Sequence, residues 1–585
     1  MKRRSMLLAA TALSCAAGLA HAGDLSFAPV PFPADDAARR MVVATSAVTI
    51  DGQTAAISYN VLARTGDMIG GQMFGQLTDR DGKPLPVAEG QMAASSAPDF
   101  TSLLPVGGKL FALTHFEELP AAIYLSEVAQ DAEGKLSFTS TRPLDLSSVD
   151  GIWDPCAGNV TPWNTHLGSE EYPADARAHE EAKTLDEIDE EVRPMARYFG
   201  LNDKTMTLED YRAKVDPYRY GFPVEYTVAK DGSATVAKHY SMGRLSVELA
   251  NIMPDQKTAY ISDDGTNVGL FRYVADKAGD LTAGQLFAAK WLQTSDQNGG
   301  AASVEWIDLG HADDATVRAA LTKGTKFSDL FETAESNAKG TCPEGFLSSN
   351  AAGRAECLKV KAGMEMITAR LETRRYASML GATTEFRKME GSAYNPDQNR
   401  LYISISDVGK GMTDGDEKAD KGGRNDIRLA KNPCGEVLEL TLGADYAGTT
   451  LKALVAGKPT DYAADSPYTG NDCDVDGIAS PDNLTFIAGH DTLIIGEDTD
   501  HHQNDAIWAM NLTSGALTRI ATTPYGSEAT SVDWYPNVSG HGYLVAVVQH
   551  PYGETDADKL AAPSDANAYV GYFGPFPAVK QDAGP

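Results

Sequence analysis

Short hydrophobic runs dominate the chain from about residue 40 onwards. They are rich in Val, Ile, Leu and Tyr and are separated by Gly, Asp, Asn and Pro, which is the pattern of many short β-strands joined by turns. Examples are 41–50, 55–62, 109–114 and 121–127. Later segments share a longer unit, in which a glutamate is followed by a strand, a Pro-Asp-Gln turn and a second strand. This unit is clearest at 248–264 and 390–406, and weaker forms recur at 477–497 and 528–549.

Spaced repeats of strand, turn and strand are typical of a β-propeller, in which every blade is one small antiparallel sheet. The inner strand of each blade faces a central channel. Glutamates that recur at the start of successive inner strands are therefore expected to point towards one common axis. We predict a fold dominated by β-structure, and the alternative to a propeller is a β-sandwich with scattered surface acids.

Two segments interrupt the strand pattern. Residues 173–216 are acidic and helix-prone, and residues 313–380 contain apolar side chains at helical spacing between 364 and 371. We expect both inserts to cover one face of the propeller and to frame the mouth of its channel. Residues 23–585, with both inserts included, are predicted to form a single β-propeller domain.

The N-terminal 22 residues have the features of an export signal. Lys2, Arg3 and Arg4 precede a short apolar run, and a small-residue cleavage pattern ends at Ala22. Arg3 and Arg4 also resemble the start of a twin-arginine signal. The sequence therefore predicts a periplasmic or secreted protein. No later stretch has 18 consecutive apolar residues, so no membrane span is expected.

The charge of the chain limits its partners. Fifty Lys and Arg residues stand against 81 Asp and Glu residues, for a net charge of −31. A polyanion of this size repels nucleic acid and anionic lipid, so neither is an expected partner. If the substrate is itself an anion, bound cations must invert the local field.

The cysteine count leaves one thiol without a partner. Apart from Cys15 in the signal there are five cysteines, an odd number. Cys342 and Cys357 bracket one loop and can close it, and Cys434 and Cys473 can pin another, which leaves Cys156. Connectivity does not follow from sequence alone, and all five can also be reduced.

The segment 154–172 combines this remaining thiol with two adjacent carboxylates. Cys156 lies upstream of Glu170 and Glu171, and Gly158 and Pro162 bend the chain between them. Thiolate selects softer ions and carboxylate binds highly charged ones, so the set suits a transition metal. The alternative is a buried cysteine followed by an exposed acidic pair. The chain lacks a Gly-x-Ser-x-Gly elbow, a His-Glu-x-x-His helix and a phosphate-binding Gly-x-x-x-x-Gly-Lys loop, which argues against serine hydrolases and zinc proteases.

Residues 156–171 read Cys-Ala-Gly-Asn-Val-Thr-Pro-Trp-Asn-Thr-His-Leu-Gly-Ser-Glu-Glu. They resemble the signature of the PhoX-type alkaline phosphatase family, in which Cys-x-Gly-x-x-Thr-Pro-Trp-Gly-Thr runs into a Glu-Glu pair. Further blocks resemble the family in the same order, at 243–248, 263–264, 271–273, 388–391, 480–482, 526–530 and 548–551. The resemblance extends from about residue 40 to 555.

This resemblance implies a six-bladed propeller whose channel holds iron and calcium and which hydrolyses small phosphate monoesters outside the cytoplasm. The mechanism it suggests is attack by a metal-bound oxygen, without a phosphorylated serine. The positions that match metal ligands are Cys156, Glu171, Glu248, Asp264, Glu390, Asp482, Asp498 and Glu528. Lys388 and Arg387 are the residues expected to hold the phosphate. By strand alternation, Glu171 is a better candidate than Glu170.

The chain also departs from the family pattern. Lys388 replaces an arginine, Val247 replaces a histidine, and Ser169 replaces the second cysteine of the signature. An ammonium is a point charge, whereas a guanidinium grips phosphate with two parallel bonds, so phosphate affinity or substrate range is expected to differ. Two other functions remain open from sequence. One is a calcium-dependent lactonase or phosphotriesterase, and the other is a non-enzymatic calcium-binding propeller with a partner-binding rim.

Overall fold

The computed structural model describes residues 23–86, 94–337, 340–420, 424–553 and 556–579. The predicted signal segment, 1–22, lies outside these residues. Within them the chain is built mainly of strands.

The strands from the N-terminus to residue 268 are β1 (Leu25–Phe27), β2 (Val43–Ala44), β3 (Ala47–Ile50), β4 (Gln53–Ala56), β5 (Ser58–Arg64), β6 (Met68–Ile69), β7 (Gln72–Met73), β8 (Pro98–Val106), β9 (Lys109–Phe116), β10 (Ala122–Gln130), β11 (Leu136–Pro143), β12 (Asn159–Val160), β13 (His166–Gly168), β14 (Val224–Val228), β15 (Ala234–Lys238), β16 (Val247–Ile252), β17 (Thr258–Asp263) and β18 (Thr266–Val268). Those that follow are β19 (Phe271–Lys277), β20 (Asp280–Ser295), β21 (Ala301–Asp313), β22 (Phe331–Ala334), β23 (Leu347–Ala351), β24 (Arg354–Val360), β25 (Phe386–Arg387), β26 (Met389–Asn395), β27 (Arg400–Ile405), β28 (Glu436–Leu442), β29 (Gly448–Ala456), β30 (Pro481–Ile487), β31 (Thr492–Glu497), β32 (Ala506–Asn511), β33 (Leu517–Thr522), β34 (Glu528–Val538), β35 (His541–Gln549) and β36 (Tyr569–Pro577). The α-helices are α1 (Asp36–Arg39), α2 (Ala176–Glu181), α3 (Leu208–Arg212), α4 (Asp314–Thr322), α5 (Phe327–Leu330), α6 (Glu365–Leu371) and α7 (Thr373–Leu380).

Most strands form antiparallel sheets of four strands that follow one another along the chain. Sheet 1 is β8 to β11, sheet 2 is β12 to β15, sheet 3 is β16, β17, β19 and β20, sheet 4 is β26 to β29, sheet 5 is β30 to β33, and sheet 6 is β34 to β36 with β5. The first strands of neighbouring sheets contact one another in chain order, from β8 of sheet 1 to β34 of sheet 6. Contacts of β8 with β34 and β35 then close the ring. The all-β class is confirmed, and a ring of sheets excludes the two-layered sandwich.

The ring contains strands from both ends of the described chain, and two of its sheets are joined. The N-terminal strand β5 pairs with β36, so sheet 6 joins both ends of the described chain. Sheets 3 and 4 are fused through the long strand β21, which pairs with both β20 and β29. Because this fusion makes one nine-stranded sheet, the count of six blades stays a prediction.

The core lies between adjacent sheets. Tyr260 and Trp291 of sheet 3, for example, pack in one buried cluster with Leu401 and Leu438 of sheet 4. Burying side chains of this size stabilises each contact between blades by several kcal/mol, at about 1.5–3 kcal/mol for each residue. The channel therefore has rigid walls.

The first insert leaves sheet 2 between β13 and β14 and contains α2, α3 and short 3-10 turns. It is less helical than its acidic run predicts. Helix α2 ends at Glu181 because the chain turns at Ala182, and Arg212 donates to the backbone carbonyls of His179, Glu180 and Ala182.

The second insert joins β21 to β25, and its described residues include the helices α4 to α7. The predicted helical segment 364–371 is confirmed as α6. The insert also contains a three-stranded sheet, β22 to β24, that the sequence pattern did not indicate. The two inserts contact each other through α2 and α5.

Both disulfide pairings suggested by the cysteine count are present, Cys342 with Cys357 and Cys434 with Cys473. Cys156 is free. Among the described residues, no helix has the length and hydrophobicity needed to cross a membrane.

Candidate active site

The inner strands of the sheets carry acidic side chains at matching positions. Asp99, Glu248, Glu390 and Asp482 are each the second residue of their strand, and all four are buried. In each of these strands the pairing register shifts across the acid, between the residue before it and the second residue after it. Because such a bulge bends the strand and redirects its side chains, it turns these carboxylates towards the channel. Glu528, the first residue of β34, supplies a fifth carboxylate from an inner strand.

A second set of acids lies at or just after the end of the second strand of several sheets, and in sheets 2, 3 and 5 it forms an adjacent pair with a shared pattern of contacts. The pairs are Glu170 with Glu171, Asp263 with Asp264, and Glu497 with Asp498. The first member of each pair faces the blade, where it accepts hydrogen bonds from backbone N–H groups next to the inner strand, those of Trp153, Ser246 and Ala479. Alternation along the strand directs the second member towards the channel.

Cys156 lies among these carboxylates. Its thiol donates to Asp99 Oδ2 at 3.2 Å and lies 3.4 Å from Glu248 Oε1. The Cys156 carbonyl is contacted at 3.0 Å by His115, whose ring in turn contacts His166 at 2.6 Å. This buried histidine pair fixes the backbone that presents the thiol.

Three groups of possible ligand atoms overlap to form one continuous cluster, which we call the channel cluster. They are Asp99, Glu117 and Cys156; Cys156, Glu171 and Glu248; and Glu248, Glu390 and Asp482. Within each group the ligand atoms lie within 4.8 Å of one another. Since each group shares a residue with the next, the cluster extends across the channel.

The channel cluster fits bound cations. Glu248 Oε2 and Asp264 Oδ1 are buried and have no hydrogen-bond partner among the described residues. Burial and the neighbouring carboxylates raise the pKa of Glu248, Asp482 and Glu528 well above the ordinary range. Unpaired carboxylates in this environment are costly unless protons or metal ions neutralise them.

Burial and the neighbouring carboxylates also change the pKa of the Cys156 thiol. Burial and the charges of Asp99 and Glu248 raise the pKa of Cys156 well above its usual value. A cation at the cluster would reverse this effect, because a coordinating thiol is deprotonated. Thiolate with carboxylates matches a transition metal, and the purely oxygen-lined group of Glu248, Glu390 and Asp482 matches a hard cation.

Lys388 supplies a positive charge to the channel cluster. Its Nζ lies 3.3 Å from Glu390 Oε1, and Glu390 and Asp264 raise its pKa well above the usual value, although burial opposes them. Its backbone has a φ of 44°. A left-handed lysine is strained, and such strain is common where a side chain has a functional orientation. Arg387 points elsewhere, to Asp407 at 3.1 Å and to Thr266 Oγ1 at 2.6 Å.

The predicted ligands therefore lie close together. Cys156, Glu171, Glu248, Glu390 and Asp482 belong to the channel cluster. Asp264 accepts a hydrogen bond from Tyr172, and its electrostatic neighbours include Lys388; Asp498 and Glu528 lie close enough to influence the pKa of Asp482 or of one another. Their role as ligands stays a prediction.

Sequence reasoning missed Asp99, Glu117 and Tyr172. The Pro98-Asp99 start of β8 repeats the Pro481-Asp482 start of β30, a signal that was available in the sequence. Glu117 directly follows the second strand of sheet 1, the place that Asp498 takes in sheet 5. Tyr172 is 48% exposed, and its hydroxyl donates to Asp264.

The two remaining departures from the family pattern are accommodated in the structure. Val247 is fully buried and packs in the apolar cluster of sheet 3. Ser169 donates to the carbonyl of Ala157 at 2.8 Å, so it ties the Cys156 segment to the end of β13.

A cavity of about 750 Å³ lies beside the channel cluster. Its lining includes Asp154 and Tyr172 at the edge of the cluster, residues 186–193 of the first insert, and Arg354 and Arg374 of the second. Both inserts therefore contribute to the lining of this cavity, and the expectation that they frame the mouth of the channel stays a prediction.

Comparison with known proteins gives a family match and several structural neighbours. The profile of the alkaline phosphatase PhoX family matches residues 126–551. The structure of Pseudomonas fluorescens PhoX in complex with vanadate, a transition state analogue, is similar with a TM-score of 0.59 and 16% identity, over 94% of this chain and 98% of that one.

Two further structures are similar at lower scores. The Pseudomonas aeruginosa periplasmic gluconolactonase PpgL has a TM-score of 0.30 and 10% identity, over 80% of this chain and 97% of that chain. Kuenenia stuttgartiensis hydrazine synthase has a TM-score of 0.29 and 12% identity, over 75% of this chain and 90% of that chain. A search of curated protein sequences gave no match.

Proposed function

Since the chain belongs to the alkaline phosphatase PhoX family, and is therefore a phosphoric ester hydrolase, we propose that it hydrolyses phosphate monoesters at the channel cluster with the help of iron and calcium. In this reaction a water oxygen forms a bond to phosphorus while the ester P–O bond breaks. The products are inorganic phosphate and the alcohol, which takes up one proton.

The residues of the channel cluster divide between the two kinds of ion. Cys156, with Glu171 and Glu248, would hold iron, because this group contains the thiol. Glu390 and Asp482, which form a group with Glu248, offer only oxygen and would hold calcium together with the nearby Asp498 and Glu528. Ions bound there would neutralise phosphate oxygens and lower the pKa of water.

The chain itself binds and orients the substrate. Glu390 and Asp264 raise the pKa of Lys388, which favours its charged form, so it would offer a positive charge to a phosphate oxygen. The hydrogen bond from Tyr172 holds the Asp264 carboxylate in place. Because the acidic side chains of the channel are buried, electrostatic contacts among them are stronger than at the protein surface.

A single observation carries this proposal. Buried carboxylates from several different sheets, a free thiol and a strained lysine meet at one place, and two of the carboxylate oxygens have no hydrogen-bond partner among the described residues. Sheets that needed only stability would bury apolar side chains there instead.

The test is metal analysis of the purified protein combined with a p-nitrophenyl phosphate assay. We expect iron and calcium to copurify, chelation to abolish turnover, and re-addition of both ions to restore it. Glu248→Gln should lose both ions and activity, whereas Glu305→Gln, an exposed change on β21, should lose neither. A protein with neither iron nor hydrolysis after reconstitution would refute the proposal.

We also propose that the protein works in the periplasm or outside the cell. The signal-like segment 1–22 and two disulfides support this location, because disulfides persist in oxidising compartments. N-terminal sequencing of the mature protein should begin near Gly23. A full-length protein recovered from the cytoplasm would contradict the proposal.

A further inference from the structure

The cavity beside the channel cluster is placed to receive the alcohol part of an ester. Tyr172 forms the boundary between the two, since its hydroxyl donates to Asp264 while its half-exposed ring lines the cavity. Asp154, two residues before Cys156, lines the same edge. An ester whose phosphate is held by Lys388 and the channel cluster therefore has its leaving group directed into this cavity.

The cavity is preformed because ion pairs lock its two walls together. Arg375 of the second insert reaches Asp175 of the first insert at 2.7 Å, and it also contacts Glu356 at 2.6 Å and Glu372 at 2.8 Å. Arg177 of the first insert adds a contact to Glu356 at 2.8 Å. These pairs are largely shielded from solvent, so the walls hold their positions without a ligand.

The charges of the cavity are unbalanced. Each of its three arginines already has a carboxylate partner: Arg193 lies 3.9 Å from Asp186, Arg354 lies 3.6 Å from Asp175, and Arg374 is bidentate on Asp263. By contrast, no described residue donates a hydrogen bond to the carboxylates of Asp154, Glu190 or Glu191. The described lining has seven acidic side chains and three arginines, so it carries a net negative charge.

From this geometry we infer that the cavity is the leaving-group subsite and that it selects phosphate monoesters of neutral or cationic alcohols, such as polyols and amino alcohols. A leaving group that carries its own carboxylate or phosphate meets uncompensated negative charge on the wall. At separations of several ångströms near the surface, each such charge is expected to reduce kcat/KM by about threefold. The inference rests on the proposed function, because it concerns the ester that this function hydrolyses.

The experiment compares matched esters on the metal-loaded enzyme. The pair para-carbamoylphenyl phosphate and para-carboxyphenyl phosphate have nearly equal size and differ in charge, and phosphocholine tests a cationic alcohol. We expect kcat/KM to favour the carbamoyl ester by about tenfold, and the ratio to shrink when salt is raised, because salt screens exposed charges. The double variant Glu190→Gln, Glu191→Gln removes two such charges and should reduce the ratio from about tenfold to about one.

A matched control distinguishes the effect of charges in the cavity lining from the effect of the net charge of the protein. The variant Glu305→Gln, Glu335→Gln removes the same charge at exposed positions outside the cavity lining and should keep the wild-type ratio. A ratio near one in the wild type, or a ratio that the wall variant leaves unchanged, would overturn this inference alone. Failure to hydrolyse any of the esters would overturn the proposed function and this inference with it.

Discussion

Glu170 and Glu171 are neighbours in sequence, but their environments differ. Mutation of Glu170 is expected to reduce stability, whereas mutation of Glu171 is expected to reduce metal binding. Glu170 forms an ion pair with Lys238 at 2.8 Å, and both side chains are 0% exposed. The carboxylate also accepts hydrogen bonds from the N–H groups of Trp153 at 3.0 Å and Gly221 at 2.9 Å. Glu171 lies in the channel cluster beside Asp264, and no ammonium or backbone N–H group of the described residues pairs with its carboxylate.

The perturbation is Glu170→Gln, with Glu171→Gln as its matched comparison. The first change keeps the shape of the side chain and leaves the Lys238 ammonium buried without a counter-charge. Removing one partner of a buried pair costs about 3–5 kcal/mol, so we expect a loss of unfolding free energy of that size. The double variant Glu170→Gln, Lys238→Met should recover most of the loss, because it removes the buried charge as well.

Glu171→Gln should behave differently in the metal-free protein. Burial, Asp264 and Glu248 raise the pKa of Glu171, so its charge destabilises the metal-free fold at neutral pH. Replacing it should leave the stability unchanged or increase it, while metal binding is lost. The assay is urea unfolding in chelator, followed by metal analysis after reconstitution. If Glu170→Gln costs less than about 1 kcal/mol and abolishes metal binding, the assignment of the two glutamates is wrong.

Three further outcomes are expected. Cys156→Ser should lower iron content and reduce kcat/KM by at least about 100-fold, as measured by metal analysis and p-nitrophenyl phosphate turnover, and an iron-replete active variant would contradict this. Lys388→Met should reduce kcat/KM by about 100-fold while Lys388→Arg retains most activity, and equal activity of the two variants would exclude a role for the positive charge. The metal-free protein should lose stability as pH rises from about 4 to about 7, because burial raises the folded-state pKa of Asp99 to about 6 and of Glu390 to about 7. Below the unfolded-state pKa both groups are protonated in the folded and unfolded states, and at higher pH the folded state must bury their charges. A thermal midpoint that rises between about pH 4 and pH 7 would therefore contradict the placement of Asp99 and Glu390 in the channel cluster.

Much of the site could be predicted because the repeat unit is local. The strand and turn pattern around Glu248 and Glu390 placed both acids at the start of inner strands, and strand alternation favoured Glu171 over Glu170. Asp99 and Glu117 were missed because the family blocks matched residue by residue begin at Cys156, whereas sheet 1 ends at Pro143. Their strand positions repeat those of Asp482 and Asp498, so a search for the repeat alone would have found them.

The cavity could not be predicted from the sequence, because contacts between distant segments create it. Asp175 and Arg375 are 200 residues apart, and neither belongs to a recognisable motif. The redirection of the inner-strand acids also depends on register shifts, which have no clear signal in the residues concerned. The orientation of Arg387 towards Asp407 is a third non-local feature, and it leaves Lys388 as the positive charge nearest to the channel cluster.

The paired acids explain how this fold can place so many carboxylates together without losing its shape. In each pair the first acid binds backbone N–H groups on both sides of its own strand: Glu497, for example, accepts from Ala479 and from Ala506, each at 2.8 Å. These bonds fix the strand end, and the adjacent residue is then directed to the channel by strand alternation. A slip of one residue would exchange the two roles and leave the backbone N–H groups unsatisfied. The bonds that hold the strand ends in register therefore also position the acids of the candidate active site.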